Sequence, residues 1–285
     1  MEISEILDAF KINDGTYKRA YVDAAVELKT EITPHLIQIL QNVLSDATPF
    51  EHPDRFDHIY AVMLLGHFEE PTAHETIVDV FSMPEERVEI FGDIITEDLP
   101  VILFRTCSGS LEKIQSLVLN QDAYDFCRSS ALYAMVYAVV DGVVSRKEVL
   151  DFFGSLFTGQ EASMDSHFWS GLASAACKLY PEELMPVIEK AYEDELIAPF
   201  YIGLGDFDKA LKRGKEAVLE EVRHEMGRRM PKDIHQSMSL WASFNSKAQT
   251  PIASLAPMGT SQKKEKRKKH KKRKMARASR KRNRR

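Results

Sequence analysis

Apolar residues in the first 245 positions recur at i, i+3, i+4 and i+7 in one segment after another, the spacing that lines one face of an α-helix. Strand-like alternation is nearly absent, and Gly and Pro fall at joints between the periodic runs. The runs come in pairs. Tyr17–Lys29 and His35–Leu44 flank a break at Thr33-Pro34, Arg55–Phe68 and Ala73–Phe81 flank Pro71-Thr72, and Glu97–Cys107 and Ser110–Leu119 flank Ser108-Gly109. Ala123–Val140 and Ser145–Phe157 then flank Asp141-Gly142, and Ser166–Leu179 and Glu182–Tyr192 flank Pro181. Successive pairs lie roughly 35 residues apart, and a single pair cannot bury its own apolar face, so pairs must stack. The pattern predicts an all-α, HEAT-like α-solenoid of about five helix pairs over residues 1–245.

Capping chemistry fits the same scheme. Thr33-Pro34 reads as an N-cap with Pro at the first helical position, and Ser145-Arg-Lys-Glu148 reads as a capping box. Beyond the fifth pair, Asp208–His224 is a charged helix with Leu211, Val218, Leu219 and Val222 as its stripe. Ile234, Met238, Trp241 and Phe244 form a last stripe, suited to C-terminal helices that cap an open solenoid end.

The periodicity stops there. Residues 246–262 are small and polar with Pro251 and Pro257, a linker of roughly 20–25 Å reach. Residues 263–285 then carry 16 bases and one acid, Glu265, against 22 bases and 42 acids in the rest of the chain. The formal charge of −5 therefore hides a body of about −20 and a tail of about +15. The bases are Lys263, Lys264, Lys266, Arg267, Lys268, Lys269, Lys271, Lys272, Arg273, Lys274, Arg277, Arg280, Lys281, Arg282, Arg284 and Arg285. Like charge this dense repels itself and buries nothing, which predicts a disordered tail that binds a polyanion: RNA or the ribosome ahead of DNA. The tail has no aromatic residue to stack on a base, so its contacts go to phosphates and do not read sequence.

Composition narrows the classes further. Hydrophobic residues make up 44 %, enough to fill a core. No apolar run reaches the ~18–20 residues of a membrane span, and the longest, Ala131–Val144, is interrupted by Asp141. Met1-Glu-Ile-Ser-Glu5 has neither the basic nor the apolar region of a signal peptide. Cys107, Cys127 and Cys177 form no CxxC and read as buried thiols in a reducing compartment such as a cytoplasm, with a nuclear location only for a chain that enters a eukaryotic nucleus. Neither a cofactor nor a metal site is predicted.

Several stretches resemble a bacterial family, domain of unknown function 1186: Gly92-Asp-Ile-Ile-Thr-Glu-Asp-Leu-Pro100, Tyr180-Pro-Glu-Glu-Leu184, Lys190-Ala-Tyr192, Ala210-Leu211 with Gly214-Lys-Glu216, and Trp241-Ala-Ser-Phe244. The resemblance covers about residues 15–245 and implies a helical-repeat protein without an established activity. Three departures stand out. Val101 follows Pro100 where a basic residue is usual, Ser243 stands where a cysteine is common, and no cysteine follows Cys177, so the terminal zinc module that many members carry is absent.

Chemistry is sparse. On a continuous helix Asp93 and Glu97 share a face, and with Asp98 they form a candidate acidic site for acid–base work or a metal. The bland alternative is a helix cap with solvated acids. No HExxH, GxSxG or P-loop occurs, and Gly203-Leu204-Gly205 lacks the strand of a nucleotide-binding turn. His67 and His74 are not at metal-ligand spacing, and His167 beside Trp169 reads as a cap or packing residue. The leading function is an interaction scaffold with an unknown protein partner on its surface and a polyanion on its tail. The rival is an enzyme built on the three acids.

Overall fold

The computed structural model describes residues 1–46, 54–230 and 233–244. Among them no strand forms, and one isolated antiparallel bridge joins Ile12 to Arg55. The predicted linker and basic tail lie outside the described residues.

Helices α1 (Ile3–Phe10), α2 (Arg19–Glu27) and α3 (Lys29–Ser45) open the chain. The first joint falls at Leu28, not at Thr33-Pro34, and α3 runs straight through Pro34. Pro34 sits near the start of α3 on an exposed face, so water can satisfy the carbonyl that its missing N–H leaves free. Thr33 does not cap. Its hydroxyl donates back to the Lys29 carbonyl at 2.8 Å. Next come α4 (Asp57–His67) and α5 (His74–Phe81), joined by a turn at Pro71–Ala73 in which the Glu70 carboxylate accepts from the Thr72 N–H.

Two short helices follow, α6 (Glu85–Val88) and α7 (Ile94–Glu97), then α8 (Leu99–Thr106) and α9 (Glu112–Leu119). The pairs α10 (Asp125–Val140) with α11 (Arg146–Ser155), and α12 (His167–Lys178) with α13 (Met185–Glu193), match the predicted segments closely. Ser145 caps α11 as expected, accepting from the Glu148 N–H at 3.2 Å. The predicted helix 208–224 is two: α14 (Leu204–Arg213) and α15 (Lys215–Arg229), split at Gly214, whose φ of +84° few other residues tolerate. The last helix is α16 (Ile234–Met238).

Helix α10 is the centre of the core. It is buried on nearly every side, including its polar residues Arg128, Ser129 and Ser130, and packs on α8, α9 and α12. Its approach to α12 needs Gly171, because a Cβ there would lie 2.9 Å from the Ser129 Cβ. Arg128, 1 % exposed, lies over the Phe168 ring and donates to the Val118 and Glu161 carbonyls, each at 2.9 Å.

The C-terminal stripe does not extend the stack. Helix α15 packs back onto α10 and α12, and α16 onto α4. Phe244 reaches Tyr17, Phe56 and Tyr60, and His235 links Tyr17 Oη (2.7 Å) to Asp23 Oδ1 (2.8 Å). The stripe of Ile234, Met238 and Phe244 thus covers apolar surface at the N-terminal end of the body. Residues 1–244 form one compact unit. No helix among the described residues is long and apolar enough to cross a membrane.

Candidate functional site

The three acids singled out by sequence are not on one helix. Asp93 is exposed and precedes α7, Glu97 is the last residue of α7, and Asp98 is the joint between α7 and α8. Asp93 and Asp98 occupy the N-cap positions of α7 and α8, and neither side chain makes a cap hydrogen bond. Asp98 is partly buried and lines a cavity of about 30 Å³ with His67, Arg105, Arg229 and Ser237. Burial, with the Glu97 carboxylate beside it, pushes the Asp98 carboxyl up to about 6, against the pull of Arg229.

Glu97 faces the other way. It lines a cleft of about 240 Å³ on the far side of Arg229, between α7, α10, α12 and α15. Arg229 belongs to both cavities and separates them. Its Nη1 donates to the Glu97 carbonyl at 2.8 Å and lies 3.3 Å from Glu97 Oε2, while its Nε lies 3.5 Å from Glu225 Oε1. Glu225 also pairs with Lys178, so four charges alternate in sign along the cleft.

Its floor is one face of α10. Phe126, Ser129, Ser130, Tyr133 and Tyr137 recur at helical spacing and all line it. The two serines are already used, Ser129 donating to the Asp125 carbonyl and Ser130 to that of Ile95. Tyr133 pairs with Ser174 Oγ at 2.9 Å, and Lys178 stands 6.0 Å above its ring. The Tyr137 hydroxyl is raised to about 12 by burial. His167, the first residue of α12, stacks on Phe126 and meets Tyr201 edge-on. Burial holds its imidazole below the usual value, so it is neutral at pH 7.

The remaining candidates are structural. Cys127 is fully buried and its thiol is pushed up by burial. His74 is buried beside Thr106, its Nδ1 2.8 Å from the hydroxyl, and its pKa falls to about 4. Trp169 is buried and donates to the Ser163 carbonyl at 2.9 Å. Among the described residues no group of three His, Cys, Asp or Glu side chains is placed to hold a metal ion.

The family model described as a protein of unknown function (DUF1186) matches residues 1–245, the whole helical body. The chain belongs to this family. Two relatives are uncharacterised proteins of Chlamydia muridarum (strain MoPn / Nigg) and Chlamydia trachomatis serovar D. Each is 30 % identical over 225 residues, which is 78 % of this chain and 90 % or 89 % of the relative. No solved structure matches.

The DUF1186 body contains every residue of the cleft, yet sequence reasoning found only Glu97 and His167 among them. Tyr133 and Tyr137 lie on an apolar helix and read as core. Glu225 and Arg229 lie just beyond the helix predicted over 208–224, outside its apolar stripe. One signal was available: α15 carries few apolar residues past Val222, so its inward face had to meet something polar.

Proposed function

We propose that this DUF1186 protein is a non-enzymatic interaction scaffold of the bacterial cytoplasm. Its body, residues 1–245, is a HEAT-like stack of helix pairs, its linker spans 246–262, and the basic residues 263–285 tether it to RNA, the ribosome or another polyanion. One observation carries the scaffold reading: successive helices pack in chain order, α4 on α8, α8 on α10, α10 on α12 and α12 on α14. The +15 of the tail against the −20 of the body supports confining polyanion binding to the tail.

The test is a salt titration of single-stranded RNA binding. Deleting Lys263–Arg285 removes most binding and leaves the helical circular dichroism unchanged. If about half of the tail's bases engage, the full chain gives a slope of about −5 to −6 in log K against log salt, with little dependence on RNA sequence. A flat salt dependence, or equal binding by the truncated body, would sink the tether.

One observation favours a second reading, an enzyme with an acidic site at Asp93, Glu97 and Asp98: the Asp98 carboxyl lies near 6, where an acid exchanges protons readily. The division of the three acids between solvent and two separate cavities counts against it.

A further inference from the structure

The cleft along α10 ends in a polar group that the fold leaves unused. Tyr137 is 1 % exposed, and its hydroxyl has no hydrogen-bond partner among the described residues. The hydroxyl opens on the cleft, and a phenol this enclosed ordinarily finds a partner. Tyr133, one turn earlier on the same face, finds Ser174.

The charges beside Tyr137 are already matched. Lys178 pairs with Glu225, and Arg229 with Glu97 and Glu225. The four charges sum to zero, so a charged ligand meets no unmatched counter-charge there and must shed its own hydration. An uncharged ligand avoids that cost. The opposite end of the cleft is a wall of rings, with Phe126 and His167 stacked at 4.1 Å between centroids and Tyr201 edge-on to His167 at 4.7 Å. The neutral His167 imidazole makes no hydrogen bond among the described residues and offers one donor and one acceptor. Eleven residues of α10 separate Phe126 from Tyr137, about 16 Å along the axis, of which a ring contact at one end and a hydrogen bond at the other take up about 6 Å. At about 240 Å³ the cleft is smaller than the ~300–1,000 Å³ typical of drug-sized ligands.

We propose that this cleft binds a small, uncharged, elongated ligand with a planar ring at one end and a hydroxyl or carbonyl at the other, the chemistry of a nucleoside. The ring packs on Phe126, His167 and Tyr201. The far end reaches the Tyr137 hydroxyl without disturbing the ion pairs. This reading is independent of the scaffold and of the tail.

Calorimetric titration of the full chain at raised salt, which suppresses binding to the tail, tests it. The probes are adenosine, its anionic 5′-monophosphate and its cationic 5′-amino-5′-deoxy analogue, with guanosine and uridine as further neutral probes. At least one neutral nucleoside binds with Kd below about 1 mM. Tyr137→Phe, which keeps the ring, weakens it about fivefold, the loss of one hydrogen bond. Tyr201→Ala, at an exposed position, weakens it similarly, and Phe200→Ala, 93 % exposed and outside the cleft, leaves it unchanged. The charged analogues show at least tenfold less of the binding that Tyr137→Phe removes. The proposal is overturned if no neutral nucleoside binds, if a charged analogue matches the neutral one in that Tyr137-dependent binding, or if Tyr137→Phe and Tyr201→Ala both leave affinity unchanged.

Discussion

Helices α10 and α12 meet with almost nothing exposed between them, and Gly171 lets their backbones approach. Helices α15 and α16 reach the same body differently. Their apolar contact comes from Val218, Leu219, Val222, Met226, Ile234 and Met238, and between these groups the chain is held by Arg229 on Glu97 and Glu225 and by His235 on Tyr17 and Asp23. The first region is fixed by a continuous packed surface around the buried Arg128, the second by a narrow apolar stripe with polar bonds between its parts. Close-packed surfaces leave no room for a ligand, whereas a charged helix laid across an aromatic floor does. That is why the cleft lies under α15 and not between α10 and α12.

The comparison fails first, and most visibly, at Arg128. Replacing it by Met strands the Val118 and Glu161 carbonyls and should cost about 3 kcal/mol, lowering the melting temperature of the whole body by roughly 10 °C. A loss under about 1 kcal/mol would show that the α10–α12 region is less tightly determined than its burial indicates.

The returning C-terminal helices should open alone. With Nε2–H donating to Asp23, His235 Nδ1 accepts from the Tyr17 hydroxyl, so His235→Ala removes both bonds and should cost about 2 kcal/mol locally. Hydrogen exchange would then speed up over residues 215–244 and stay unchanged in α10 and α12. Equal acceleration in α10 would erase the distinction between the two regions.

The smallest effect concerns pH. Asp98 has a folded value of about 6, above the 3.8 of an ordinary carboxyl, so the folded state holds its proton longer and stability falls as pH rises from about 4 to about 6. His74 has the opposite sign. Its folded value of about 4 lies below 6.5, so the unfolded state binds the proton first and stability rises with pH between about 4 and 6.5. Asp98→Asn should therefore raise stability at pH 7.5 by about 1 kcal/mol and leave the His74 slope unopposed. Denaturant melts from pH 4 to 8 would show this as a steeper rise, and an unchanged profile would mean that Asp98 ionises freely.

The helical class, the positions of α4, α5, α9, α10, α11, α12 and α13 to within a few residues, and the Ser145 cap were legible in the sequence, because periodicity and capping are local properties of a chain. The joints were less so. Thr33-Pro34 looks like a helix start, but Pro near the N-terminal end on a solvent face is tolerated, and the break moved to Leu28. Gly214 passed as one residue of a long helix until its positive φ divided it.

Sequence alone determined which segments are helical and that a basic C-terminal tail follows an acidic body. Tertiary structure alone decided that the last helices return across the body, that Glu97 and Asp98 face different cavities, and that Tyr137 ends buried without a partner. The cleft assembles residues from α7, α10, α12 and α15, over a hundred positions apart, and each of them satisfies its local pattern without betraying the others. Periodicity is a property of neighbours three and four residues away. A site made by laying one helix across others is a property of the packing, and packing is settled by the whole core at once.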